Sequence, residues 1–128
     1  MLQILYADGI DKRAWLVKPM SDPEAAGYAE SLGAVFRAAG WSVDVATWSE
    51  GTLKPGVRLF VGPEQPTPTV TLVTRALDAG GAASQQFTGY RAYREERMRA
   101  DPKAGGIDLA ANQDFVIVVG RADTVPAP

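Results

Sequence analysis

Ala14-Trp15-Leu16-Val17-Lys18-Pro19-Met20-Ser21-Asp22-Pro23-Glu24 is the stretch that decides the fold class. Its first four residues are a short apolar run stopped by Lys18-Pro19, the pattern of a buried strand. Asp22 then offers a side-chain acceptor to the free N–H groups of a helix start. Pro23 suits the first helical position, where its missing N–H costs nothing. Ala25, Ala29, Leu32, Phe36 and Ala39 follow at helical spacing, with Glu24, Glu30 and Arg37 off the stripe. Gly40 ends the helix because glycine tolerates the left-handed conformation. Trp41 is placed to fold back over the last turn.

The same grammar returns further along. Trp41-Ser42-Val43-Asp44-Val45-Ala46 alternates apolar and polar residues, as a half-buried strand does. After the turn-rich Glu50-Gly51-Thr52-Leu53-Lys54-Pro55-Gly56 comes a third strand, Val57-Arg58-Leu59-Phe60-Val61, ending at Gly62-Pro63. Thr67-Pro68 repeats the cap-then-proline start. Val70, Val73, Ala76 and Leu77 mark one face of a second helix, which stops at Gly80-Gly81. Each half is therefore βαβ-like. Duplication and convergent capping chemistry both account for the likeness.

Residues 84–113 break the pattern. Ser84-Gln85-Gln86-Phe87-Thr88 reads as a weak edge strand, and residues 89–112 as a helical insertion built on the helix-forming 90–99. Asp114-Phe115-Val116-Ile117-Val118-Val119-Gly120 is the clearest strand. Its near-continuous apolar run predicts a central position buried on both faces. The expectation is one α/β (α+β) domain over 1–123, with a disordered tail over 124–128. The link between the second and third strands carries no helix, so those strands are expected to pair antiparallel in a ferredoxin-like split layout. The alternative is a parallel Rossmann-like sheet. Only the parallel sheet would bring both helix N-termini to one end, to share an anion site.

Composition bounds the chemistry. The 128 residues are 46% hydrophobic and 22% charged, enough for a core without staples. There is no cysteine and no histidine. That removes disulfides, thiolate chemistry, Cys/His zinc sites and imidazole general bases. Thirteen basic residues against fifteen acidic give a formal charge of -2, not the basic excess of a general nucleic-acid binder. No apolar run approaches the roughly 18 residues of a membrane span. Met1-Leu2-Gln3-Ile4-Leu5-Tyr6 is too short for a signal peptide and lacks a basic leader. A cytoplasmic chain is expected, membrane-proximal if it is a fragment tethered in a larger parent.

Two places are candidate ligand sites. Lys18 and Ser21 set a cation and a hydroxyl beside a helix start, although no glycine-rich phosphate cradle accompanies them. Residues 90–103 hold five basic residues against three acidic ones, a local +2, with Tyr90 and Tyr93 interleaved. Arg91, Tyr93, Arg94 and Arg97 could clamp an anion or stack on a base. The plainer account is a solvated helix with ion pairs such as Arg91–Glu95 at i,i+4 spacing. Carboxylates occur singly, with Asp108 and Asp114 as isolated candidates. Trp15, Trp41 and Trp48 read as core and interface filler rather than a carbohydrate platform, with Trp48, on a polar loop, the one placed for exposure.

Several segments carry a resemblance. They are the strand followed by Ser-Asp-Pro-Glu-Ala, the helix ending Arg-Ala-Ala-Gly-Trp, Val-Arg-Leu-Phe-Val, the helix ending Asp-Ala-Gly, and Val-Ile-Val-Val-Gly. On them the chain resembles a small α/β domain at the C-termini of uncharacterised bacterial membrane-anchored proteins. It is similar in layout to the C-terminal domain of LytR-type cell-wall proteins. The resemblance covers about two-thirds of the chain, omits 90–112 and carries no catalytic motif. It implies a sensory or interaction module. The expectation is thus a non-enzymatic bacterial ligand-sensing or protein-interaction module without a cofactor or metal. Its partners would be a small anionic ligand or a protein, with a homodimer through the strand edge at 85–88. The alternatives are nucleotide or nucleic-acid binding through 90–103, and a small carboxylate-dependent hydrolase or transferase.

Overall fold

The computed structural model describes residues 2–6, 11–20, 22–48, 56–82, 84–103 and 107–120. The order is α1 (Leu2–Leu5), β1 (Arg13–Pro19), α2 (Pro23–Ala38), β2 (Ser42–Trp48), β3 (Val57–Val61), α3 (Pro68–Ala79), β4 (Ser84–Phe87), α4 (Tyr90–Ala100) and β5 (Phe115–Val119). The expected tail over 124–128 lies outside the described residues.

Local chemistry forms the two long helices as expected. The Ala25 N–H donates to Asp22 Oδ1 and the Val70 N–H to Thr67 Oγ1, both at 3.2 Å. The helices also end alike. Gly40 and Gly81 take positive φ, and the next residue's N–H reaches back, Trp41 to the Phe36 carbonyl and Ala82 to the Leu77 carbonyl. Trp41 turns over the last turn of α2, its ring edge-on to Phe36 at 5.2 Å. Its indole N–H donates to the Leu5 carbonyl at 2.9 Å, fastening α1, a helix that the sequence analysis did not anticipate.

The five strands form one mixed sheet in the order β2-β1-β5-β3-β4. β1 pairs parallel with β2 and with β5; β3 pairs parallel with β4 and antiparallel with β5. Each half is thus a βαβ unit, and the halves run in opposite directions on either side of β5. A right-handed crossover in two units that point and step in opposite senses puts both helices on one face. Ala29, Leu32 and Phe36 of α2 indeed share a core with Val70, Val73 and Leu77 of α3, over Leu16, Leu59 and Ile117.

The expected pairing of strands two and three is not formed. β1 and β5 lie between them. β5 takes the centre because all five of its residues are apolar and buried, whereas β2 is largely exposed and stable only at an edge. The rule that a helix-free link joins neighbouring strands fails for a simple reason. The end of β2 and the start of β3 lie at the same end of the sheet, three strand spacings apart. That is about 14 Å, a span eight residues cover easily.

One expected outcome tests the core. Trp41→Phe keeps the ring but strands the buried Leu5 carbonyl, and should cost about 1–3 kcal/mol in denaturant unfolding. Amide exchange should rise in residues 2–6 first.

Candidate functional site

Pleating sends Val17, Val116 and Val118 to the face away from α2 and α3, where they form a second, smaller core. Trp15, Trp48, Phe60, Ile107 and Leu109 pack around it. Ile107 and Leu109 come from the segment before β5, which lies across this face as a strap. Burying three valines requires the strap to be held down.

α4 holds it. The Tyr90 hydroxyl donates to the Ile107 carbonyl, and the Arg91 guanidinium donates to the carbonyls of Gln113 at 2.6 Å and Ala110 at 3.4 Å. Arg94 pairs with Asp108 at 2.8 Å. Gln113, itself buried, closes the turn by accepting from the Ala110 N–H and donating to the Phe115 carbonyl. Gly62 makes the close approach possible. A Cβ there would lie 3.2 Å from Leu109 and 3.3 Å from the Arg91 guanidinium. Burial pushes the Tyr90 hydroxyl above its ordinary value of 10.0. The bond to Asp108 pushes the Arg94 guanidinium higher still, so it stays charged.

The strap covers the face only in part, and among the described residues three clefts lie beside it or beside α4. One of about 320 Å³ lies between Trp15 and Trp48, with Val17, Ala46 and Val116 among its walls. A second, of about 310 Å³, lies between α4 and the strap, lined by Arg91, Arg94, Met98, Asp108 and Leu109. The third, of about 380 Å³, is walled by Phe60, Phe87, Thr88, Tyr90 and Tyr93. Its rings form a row: Phe87 stacks on Phe60 at 5.5 Å, Phe60 meets Tyr90 at 4.8 Å, and Tyr90 meets Tyr93 at 6.1 Å. Phe87 and Tyr93, at the ends, are 44% and 54% exposed. The Arg97 guanidinium lies over Tyr93 at 6.0 Å.

The residues singled out from sequence fall in different places. Arg91, Tyr93, Arg94 and Arg97 are together on α4. Lys18 is on the helix-bearing face at the other end of the sheet, paired with Glu30 of α2 at 3.1 Å. Ser21 lies outside the described residues. The two helix starts share no site, because β1 and β3 run in opposite directions. Arg91 turns to the strap carbonyls rather than to Glu95. Asp108 is ion-paired and Asp114 exposed, and among the described residues no three acidic side chains gather as metal ligands. Trp48, read as filler and placed for exposure, is half-buried against the second core. Sequence reasoning missed Phe60 and Phe87 as a stacked pair, since their shared face depends on β3 pairing with β4.

Among the described residues no helix is long and apolar enough to cross a membrane. Comparison with protein-family profiles, curated proteins and solved structures finds no match.

Arg91→Ala removes the donor to two strap carbonyls. It should cost about 1–3 kcal/mol and raise amide exchange in residues 107–113 while leaving α2 protected. Tyr90 adds a pH dependence. Since burial raises its folded value, the hydroxyl's contribution is complete below about pH 10 and is lost as pH climbs through the raised value. Part of the alkaline fall in stability should therefore vanish in Tyr90→Phe, as read from unfolding midpoints between pH 8 and pH 11.

Proposed function

We propose that this chain is a non-enzymatic interaction module whose site is the cleft between β4 and α4. The observation that carries the proposal is the aromatic row Phe87–Phe60–Tyr90–Tyr93, open at both ends beside a sheet edge. An exposed strand edge next to an apolar cleft suits an extended peptide segment. The main chain runs along the edge while one side chain enters the cleft. The Gly62 N–H donates to the Asp114 carbonyl just before β5, so alternation turns the main-chain groups of Leu59 to β4, where the parallel register meets Gln85 and Phe87 and leaves those of Gln86 outward. Arg97, over Tyr93 at the rim, favours a partner carboxylate. The occupant is then an extended segment with a large apolar residue followed by an acidic one. The resemblance to domains of membrane-anchored bacterial proteins belongs to the same proposal.

Nucleotide or nucleic-acid capture by 90–103 has less support. Arg91 and Arg94 are engaged with the strap, which leaves Arg97 over Tyr93, and the exposed Arg99 and Lys103, as the accessible cations.

The test uses acetylated hexapeptides of alternating Thr and Val with a central Phe or Leu, followed two places on by Glu or Lys. The Phe/Glu peptide should shift amide resonances of β4 and α4. Phe87→Ser should weaken it at least about tenfold. Arg97→Glu should reverse the Glu-over-Lys preference. Shifts confined to other elements, or an unchanged preference in Arg97→Glu, would sink the proposal.

A further inference from the structure

The other edge of the sheet carries a separate signal. β2 is seven residues long, rich in β-branched side chains and free of proline, with Val45 38% exposed. The direction of its main-chain groups is fixed by its two ends. The Ser42 N–H donates to the Lys12 carbonyl, and the Trp48 carbonyl accepts from the Met20 N–H. Both ends therefore face β1. By alternation, the N–H and C=O groups of Val43, Val45 and Thr47 face outward. Among the described residues, one group bonds to them: Arg37, which donates to the Val43 carbonyl at a long 3.4 Å.

We infer that β2 pairs with β2 of a second copy of this chain. The pairing is antiparallel about a two-fold axis at Val45, and it gives one continuous ten-stranded sheet. Ladder length selects this register. Centred on Val45, all seven residues pair: Val45 faces Val45, Val43 faces Thr47, and Asp44 faces the neutral Ala46 of the second copy. A shift that centres on Asp44 or Ala46 leaves two residues of each copy unpaired, and the Asp44 shift also sets two carboxylates, each paired with its own Arg13 at 3.1 Å, face to face. The three outward residues of each copy then exchange about six main-chain hydrogen bonds.

The helix above β2 fits the same axis. α2 packs on both β1 and β2. A Cβ at its Gly33 would lie 3.3 Å from Leu16 and 3.7 Å from Val43. Leu16 is the register partner of Val45, so the middle of α2 stands at the level of the axis. A strand spacing of about 4.8 Å puts the two α2 helices about 10 Å apart, the distance of packed helices. Small residues Ala26, Gly27 and Ala34 are on the exposed or half-exposed part of α2. An antiparallel crossing between Gly33 and Ala34 turns Glu30 of each copy toward Arg37 of the other. Glu30, whose side chain is 68% exposed beside Lys18, has room to accept. Arg37 then gives up the Val43 carbonyl, which the Thr47 N–H of the second copy takes. β4 offers a weaker template, with four residues to seven. The inference is independent of the β4–α4 cleft.

The experiment is sedimentation equilibrium of the whole chain over a concentration series, with a species of twice 13.6 kDa expected. Val45→Pro removes an outward N–H that the protomer does not use. It should give monomer with an unchanged circular dichroism spectrum. If that variant does not fold, the charge series takes its place. Glu30→Arg should weaken association at least about tenfold, and adding Arg37→Glu should restore it. The chain has no cysteine, so Val45→Cys should form an oxidised dimer readily and Asp44→Cys should not. Monomer at every concentration, a dimer that survives Val45→Pro, or faster cross-linking at position 44 than at position 45 would overturn the inference.

Discussion

β5 needs apolar cover on both of its faces, and the rest of the molecule is arranged around that need. Its five residues have no polar alternation, so neither face tolerates water. Phe115, Ile117 and Val119 are covered by the helices of the two βαβ units, and Val116 and Val118 by the strap of Ile107 and Leu109. Hydrogen bonding to β1 on one side and β3 on the other makes β5 the seam between two halves that run in opposite directions. Without it, each half would keep an exposed inner edge and the two would have no common core.

The strap explains why an arginine-rich helix packs against a protein interior. α4 is strongly polar, and an amphipathic stripe does not hold it. What it contributes is the Tyr90 hydroxyl and two guanidiniums, directed at carbonyls and a carboxylate that the strap would otherwise leave without partners. Arginine suits this task because one planar group serves two acceptors. The segment 90–103 was legible as unusual from its composition. Its role was not, because Gln113 and Asp108 lie more than a dozen residues away. The aromatic cleft was half legible: Tyr90 and Tyr93 stood out, whereas Phe60 and Phe87 each read as an ordinary strand residue. Their joint meaning arises when β3 and β4 pair in register.

The two edges of the sheet divide the surface. β4 stands beside the aromatic row, the edge proposed above for a foreign segment. β2 is longer and carries its own arginine guard, and it is the edge proposed for pairing with a second copy. Both edges are polar for the same reason that β5 is central: a strand that carries Asp, Ser, Thr or Gln loses more by full burial than it gains.

The sequence alone determined the local units: two capped helices, their glycine-ended C-termini, each described strand, and the mixed α/β class. These follow from interactions within about five residues, such as Asp22 with Ala25, Thr67 with Val70, and Trp41 with Phe36. Tertiary structure alone decided the strand order, the opposite directions of the two halves, the separation of Lys18 from the α4 arginines, and the partners of Arg91 and Arg94. Each of these depends on which distant segment reaches the same pleat or the same end of the sheet. Periodicity records that a side chain is to be buried, and it carries no information about the neighbour that buries it.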